Sequence, residues 1–185
     1  MELGGPVVIG YLPGLYPEEA KFDRQVEVLV NHSIAALEVG IPGRAPSLEG
    51  DTISGALAAV QKLVPDPVKV LRLSMALTAC DGAYPIAMAF AETAAEIGLP
   101  RFVREAAAAG ASALLVPDIP EDRREELHTL ALEHGVQTVL FQGAEEPLKG
   151  LYGSEAFMYL QTADMPTGGR FQPTEALGRR IRSLR

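Results

Sequence analysis

Glu38 is the side chain whose surroundings fit its chemistry least. It stands in Ala35-Ala36-Leu37-Glu38-Val39-Gly40-Ile41-Pro42, an acid inside an otherwise apolar run. An ionised carboxylate is expensive there unless it is paired. Burial raises a carboxyl pKa toward neutrality and makes Glu38 a candidate general acid/base. The competing reading is a carboxylate that reaches the strand end and accepts loop amide hydrogens. Glu49 follows in Ser47-Leu48-Glu49-Gly50-Asp51-Thr52, on the next loop, where it is placed to face Glu38. Two carboxylates together allow one to exchange protons while the other orients a substrate. Glu49 equally suits the amino terminus of the helix that follows, and Asp51 suits capping that helix near Thr52.

Three further sets of polar residues remain. Asp118 follows Leu114-Leu115-Val116-Pro117 at a strand's carboxyl end, where it can contact a ligand or tie down a loop. Thr167-Gly168-Gly169 lies beyond the last strand-like run; glycines there permit close backbone approach to a phosphate or movement of a lid. His32, His128 and His134 share no metal-like spacing and read as solvated residues at helix ends or on exposed helix positions. No metal site and no nucleophile triad are expected.

These residues need elements to position them. Apolar runs at Val7–Tyr11, Ile34–Val39, Ile86–Phe90, Ser112–Val116, Thr138–Phe141 and Ala156–Leu160 read as strands, separated by turns and helix-period segments. After the first run Phe22, Val26, Leu29 and Val30 share one helix face, and after the second Ile53, Leu57 and Val60 do. Pro120 opens another helix, acids crowd its first turn, and Gly135 closes it. Strand–helix alternation predicts an α/β fold with parallel strands, as an open sheet or as an incomplete TIM (β/α)8-type barrel with about six of the eight βα units. The sequence Gly10-Tyr11-Leu12-Pro13-Gly14 lacks the dinucleotide fingerprint.

Composition narrows the function. The chain has 185 residues, 48% of them apolar, with 16 Lys+Arg against 24 Asp+Glu for a net charge of -8. At roughly 150 residues per domain, one domain over residues 1–185 is expected. The acidic balance and the lack of Trp argue against nucleic acid, which requires a basic stripe and stacking rings. The basic stretch Arg170–Arg185 reads as the solvated face of a last helix. Cys80 alone forms no intrachain disulfide, and neither a leader in Met1–Pro6 nor a long apolar span is apparent, so a cytoplasmic protein without membrane contact is expected.

At Leu37-Glu38-Val39-Gly40-Ile41-Pro42, and through nearly its whole length, the chain resembles the α subunit of tryptophan synthase, the indole-3-glycerol-phosphate lyase. Val8-Ile9-Gly10-Tyr11-Leu12 with Pro17, Arg101-Phe102-Val103-Arg104-Glu105-Ala106, and above all Leu114-Leu115-Val116-Pro117-Asp118-Ile119-Pro120 carry the likeness. So do Tyr159 and Thr167-Gly168 at the end of strand six and in the loop after it. The resemblance implies a (β/α)8 barrel that cleaves indole-3-glycerol phosphate to indole and glyceraldehyde 3-phosphate by a retro-aldol step of tryptophan biosynthesis. It implies Glu38 as the acid/base at indole C3. The family's second acid, an aspartate bound to the indole N–H, falls on Glu49, with its charge on a longer arm. Tyr159 would line the pocket, Thr167 would lock the lid, and Gly168 and Gly169 would approach the phosphate. No cofactor is implied for the lyase step; pyridoxal phosphate belongs to a β-subunit partner.

The sequence also departs from the family. The Phe-Ser-Asp-Pro loop is Gly43-Arg44-Ala45-Pro46 here, the Tyr-Tyr-Asn-Pro segment is Phe90-Ala91-Glu92-Thr93, and the turn Pro13-Gly14-Leu15-Tyr16 lacks the usual acid. Strands seven and eight, whose loops hold most of the phosphate in the family, have no counterpart before Arg185. An unclosed barrel leaves strand edges unpaired, so self-association or a protein partner such as the β subunit is expected. The alternative function is a catalytically impaired homologue with a structural or regulatory role.

Overall fold

Each short apolar run that pairs into a strand leaves one face to be covered, and the helix-period segments between the runs cover it. A computed structural model describes residues 7–43, 49–79, 82–147, 149–162 and 172–183. In chain order the elements are β1 (Ile9–Pro13), α1 (Glu19–Asn31), β2 (Ala36–Gly40), α2 (Asp51–Leu63), α3 (Pro67–Thr78) and β3 (Tyr84–Met88). They continue with α4 (Ala91–Ile97), α5 (Leu99–Ala108), β4 (Ala113–Leu115), α6 (Glu121–Glu133), β5 (Gln137–Gln142), β6 (Phe157–Leu160) and α7 (Glu175–Ser183).

The strands lie in the order β1-β2-β3-β4-β5-β6, and every neighbouring pair is parallel. Side chains alternate between two apolar layers, as the strand period of two requires. Leu37, Val39, Ala87, Leu114 and Val116 pack with Phe22 and Val26 of α1, Val60 of α2, Leu71 and Met75 of α3, Phe102 of α5 and Leu127 of α6. Ala36, Ile86, Met88, Ala113, Leu115 and Val139 form a second cluster, with Phe90 at its rim and no buried helix side chain beyond that N-cap. One face is therefore the helix-covered outer layer and the other is an inner, strand-on-strand layer. Tyr159 on β6 nonetheless feels the charge of Glu38 on β2, although three strands lie between them in sheet order. The sheet is curled so that its far strand approaches its second one, as in an incomplete TIM barrel.

The strand runs and the α1, α2 and α6 helices fall where the sequence places them, with ends shifted by a residue or two. Three details differ. Asp51 is the first residue of α2, and Gly50 is the N-cap, with no capping side-chain bond. The helix α3 follows Asp66-Pro67: the Asp66 carboxylate accepts from Val68 N at 2.9 Å and Pro67 sits at the first helical position. The β5–β6 connection contains no helix among its described residues.

His128 corrects the expectation of solvated histidines: it is 6% exposed on the inward side of α6. Its Nδ1 lies 2.8 Å from Thr138 Oγ1 on β5, and its Nε2 lies 2.8 Å from Ser154 Oγ. Tyr152 stacks on the ring at 4.5 Å, with the Arg124 guanidinium over the other ring. These contacts pin the helix-free connection to α6 and β5. The carboxy-terminal basic stretch is not wholly solvated either, because Arg180 on α7 donates to the carbonyls of Gly143 and Glu146. No described helix is long and apolar enough to cross a membrane.

Candidate functional site

The polar residues of interest gather on the inner face toward the carboxyl ends of the strands. Along β2, Leu37 and Val39 point to the helices, so Ala36, Glu38 and Gly40 point inward. On β1 the register pairs Tyr11 with Glu38. A Cβ on Gly10 would meet Leu37, Leu29 and Ile34 on the helix side, and one on Gly40 would collide with the Tyr11 hydroxyl. Tyr11 and Glu38 therefore share the inner face, and Gly40 keeps open the space that the Tyr11 ring occupies.

Glu38 is 9% exposed. Burial, reinforced by the charge of Glu49, pushes its carboxyl up to about 7. A carboxyl poised there can give a proton and take one back near neutral pH. Glu49 stands just ahead of the Gly50 N-cap, and its backbone carbonyl accepts from Ser54 Oγ at 3.3 Å, which fixes it to the first turn of α2. Its carboxylate is near enough to raise Glu38, Tyr11 and Tyr159 alike. Tyr159 stacks on Phe141 at 5.4 Å, and burial followed by the charges of Glu38 and Glu49 pushes its phenol up. The curl thus brings Glu38, Glu49 and Tyr159 from β2, the β2–α2 loop and β6 into one electrostatic neighbourhood.

Tyr11 belongs to the same group, and the sequence reading passes it over. Burial, then Glu49, then Glu38 raise its phenol, which stays protonated. The available signal is its place opposite Glu38 on the next strand, which becomes visible only once β1 and β2 are paired in register. Asp118 lies elsewhere on the rim: its Oδ1 accepts from Ala91 N at 2.7 Å and ties the end of β4 to the start of α4. Thr167, Gly168 and Gly169 lie outside the described residues. Among the described residues no group of three or more His, Cys, Asp or Glu could hold a metal ion.

Parallel strands in chain order, helices on the outer face and an acid pair on the inner one define a protein of the TIM-barrel type, with six strands among the described residues. The chain belongs to the tryptophan synthase alpha chain family, whose model matches residues 3–185. The tryptophan synthase alpha chain of Acidothermus cellulolyticus is 28% identical over 136 residues, covering 74% of this chain and 51% of the relative. That of Synechococcus sp. is 29% identical over 166 residues, covering 86% of this chain and 62% of the relative. The chain thus spans about half to three-fifths of these curated relatives. A solved structure of Mycobacterium tuberculosis tryptophan synthase superposes with a TM-score of 0.76 at 24% identity, covering 97% of this chain and 71% of that one, which supports the fold.

Proposed function

We propose that this chain carries the acid/base part of an indole-3-glycerol-phosphate lyase site in cytoplasmic tryptophan biosynthesis. The observation that supports it most is Glu38, buried on the inner face and held near neutrality by its burial and by Glu49. Glu38 gives its proton to C3 of the indole ring. Its carboxylate then takes the proton of the hydroxyl on the carbon attached to the ring. The bond between C3 and that carbon breaks, its electrons restore the aromatic ring, and the oxygen is left as the aldehyde of glyceraldehyde 3-phosphate. Glu49 accepts from the indole N–H and Tyr159 lines the pocket beside Phe141. By resemblance to the family, Gly168 and Gly169 are assigned to the phosphate and Thr167 to the lid. The lyase step draws on side chains alone, and a tryptophan synthase β subunit or a second copy of the chain covers the strand edges.

The test is indole release from indole-3-glycerol phosphate by the purified chain, alone and with a tryptophan synthase β subunit. The expected result is turnover that falls by roughly 10²-fold or more in Glu38→Gln, the scale of losing a general acid/base. Absence of indole in both settings would show instead a non-catalytic relative with a structural or regulatory role.

A further inference from the structure

Four buried side-chain polar atoms lack a hydrogen-bond partner among the described residues: Tyr11 Oη, Ser74 Oγ, Arg124 Nε and Arg180 Nε. The two arginines bond through their other guanidinium nitrogens. Ser74 lies on α3, in the outer layer. Tyr11 Oη alone of the four belongs to the inner face, beside Glu38. A buried hydroxyl without a partner loses its hydrogen bonds to water and gains nothing in return, so such a group calls for an explanation.

We propose that the Tyr11 hydroxyl is a ligand-reading donor: it donates to a hydroxyl oxygen of the bound glycerol chain while that hydroxyl's own hydrogen goes to Glu38. The inference rests on the lyase reading and adds to it the residue that recognises the hydroxylated chain. A ligand hydroxyl is donor and acceptor at once, so a carboxylate by itself satisfies only half of it. Tyr11 supplies the other half. Its phenol is kept protonated by burial and by the two carboxylates, so toward a ligand oxygen it serves as a donor. Its position is set by packing, because Gly40 is the residue whose missing Cβ makes room for the hydroxyl. A site with such a pair favours a hydroxylated ligand over the same ligand without the hydroxyl, since the latter leaves buried polar groups unpaired.

The experiment is calorimetric binding of indole-3-glycerol phosphate, and of the same molecule with both chain hydroxyls replaced by hydrogen, to the full chain and to Tyr11→Phe. Tyr11→Phe removes one oxygen and keeps the ring, and thermal melting checks that it folds. Gly40→Ala, whose new methyl displaces the hydroxyl and the ring edge that bears it, is the second variant. The wild-type chain is expected to prefer the hydroxylated ligand by at least about tenfold, and each variant to reduce that preference several-fold, Tyr11→Phe while binding the deoxy ligand as before. An undiminished preference in folded Tyr11→Phe, or equal wild-type binding of both ligands, overturns this inference and leaves the lyase reading standing. Failure of the wild-type chain to bind either ligand overturns both.

Discussion

The two ends of the strands treat their polar groups in opposite ways. At the amino ends of β3 and β5 a connected set of hydrogen bonds spans the sheet from its inner to its helix-covered side: the Tyr84 hydroxyl lies 2.8 Å from Gln137 Oε1, Gln137 Nε2 donates to the Ser154 carbonyl, and Ser154 Oγ meets His128, whose other nitrogen meets Thr138. Toward the carboxyl ends Glu38 and Glu49 are held close enough to raise one another's neighbours, and Tyr11 Oη is buried without a partner. A satisfied network stabilises one arrangement, whereas a half-satisfied one costs free energy until something binds. The contrast separates the part of the barrel that holds the fold from the part that is built to meet a ligand, in keeping with where this architecture places stability and chemistry.

The comparison is most exposed to His128→Ala. It removes the ring shared by Thr138 and Ser154 and the surface on which Tyr152 stacks. The expected loss is about 2–4 kcal/mol in denaturant melts, with binding at the mouth unchanged once the protein is folded; a loss below about 0.5 kcal/mol would mean that the network is not what holds this end.

A comparable effect, but one that depends on pH, is expected from Glu38→Gln. The Glu38 carboxyl titrates near 7 in the folded chain against its ordinary 4.5. Below about pH 4.5 both folded and unfolded states hold the proton; between that value and about 7 the folded state keeps it while the unfolded chain releases it. Wild-type stability therefore falls as pH rises through this window, and Glu38→Gln removes that decline, a difference on the order of 3 kcal/mol between pH 4 and pH 8. Parallel wild-type and variant stability curves across the window would contradict the burial of an ionisable acid at the mouth.

The smallest change is expected from Asp118→Ala, which removes the acceptor for Ala91 N and with it the tie between β4 and α4. It should cost about 1 kcal/mol, as a lost helix cap does, and leave ligand binding near wild type. A large drop in binding with unchanged melting would move Asp118 from the rim into the site.

Much of the architecture can be read from local pattern. The apolar runs are short and bounded by Gly and Pro, and the α1 face of Phe22, Val26, Leu29 and Val30 repeats at helical spacing, so both periods are visible without tertiary information. Glu38 is legible for the same reason, as the acid that breaks an apolar strand. What escapes the pattern is set by partners distant in sequence. His128 sits on a helix rich in charge, and its burial depends on hydroxyls from β5 and from the connection after it. Tyr11 looks like one more apolar strand residue until register sets its ring beside Glu38 and over Gly40. The helix α3 had a local signal in Asp66-Pro67, and the strand–helix reading ran past it because two helices, not one, join β2 to β3.

Strand order has a consequence for how the pocket comes into being. Since each strand pairs with the one made just before it, the sheet can grow in the direction of synthesis, with no strand waiting for a distant mate. The pocket does not grow that way. Tyr11 and Glu38 meet as soon as the second strand docks on the first, yet Tyr159 arrives only with the sixth. A nascent chain halted before β6 would own its acid and lack one wall of the chamber in which that acid is meant to work.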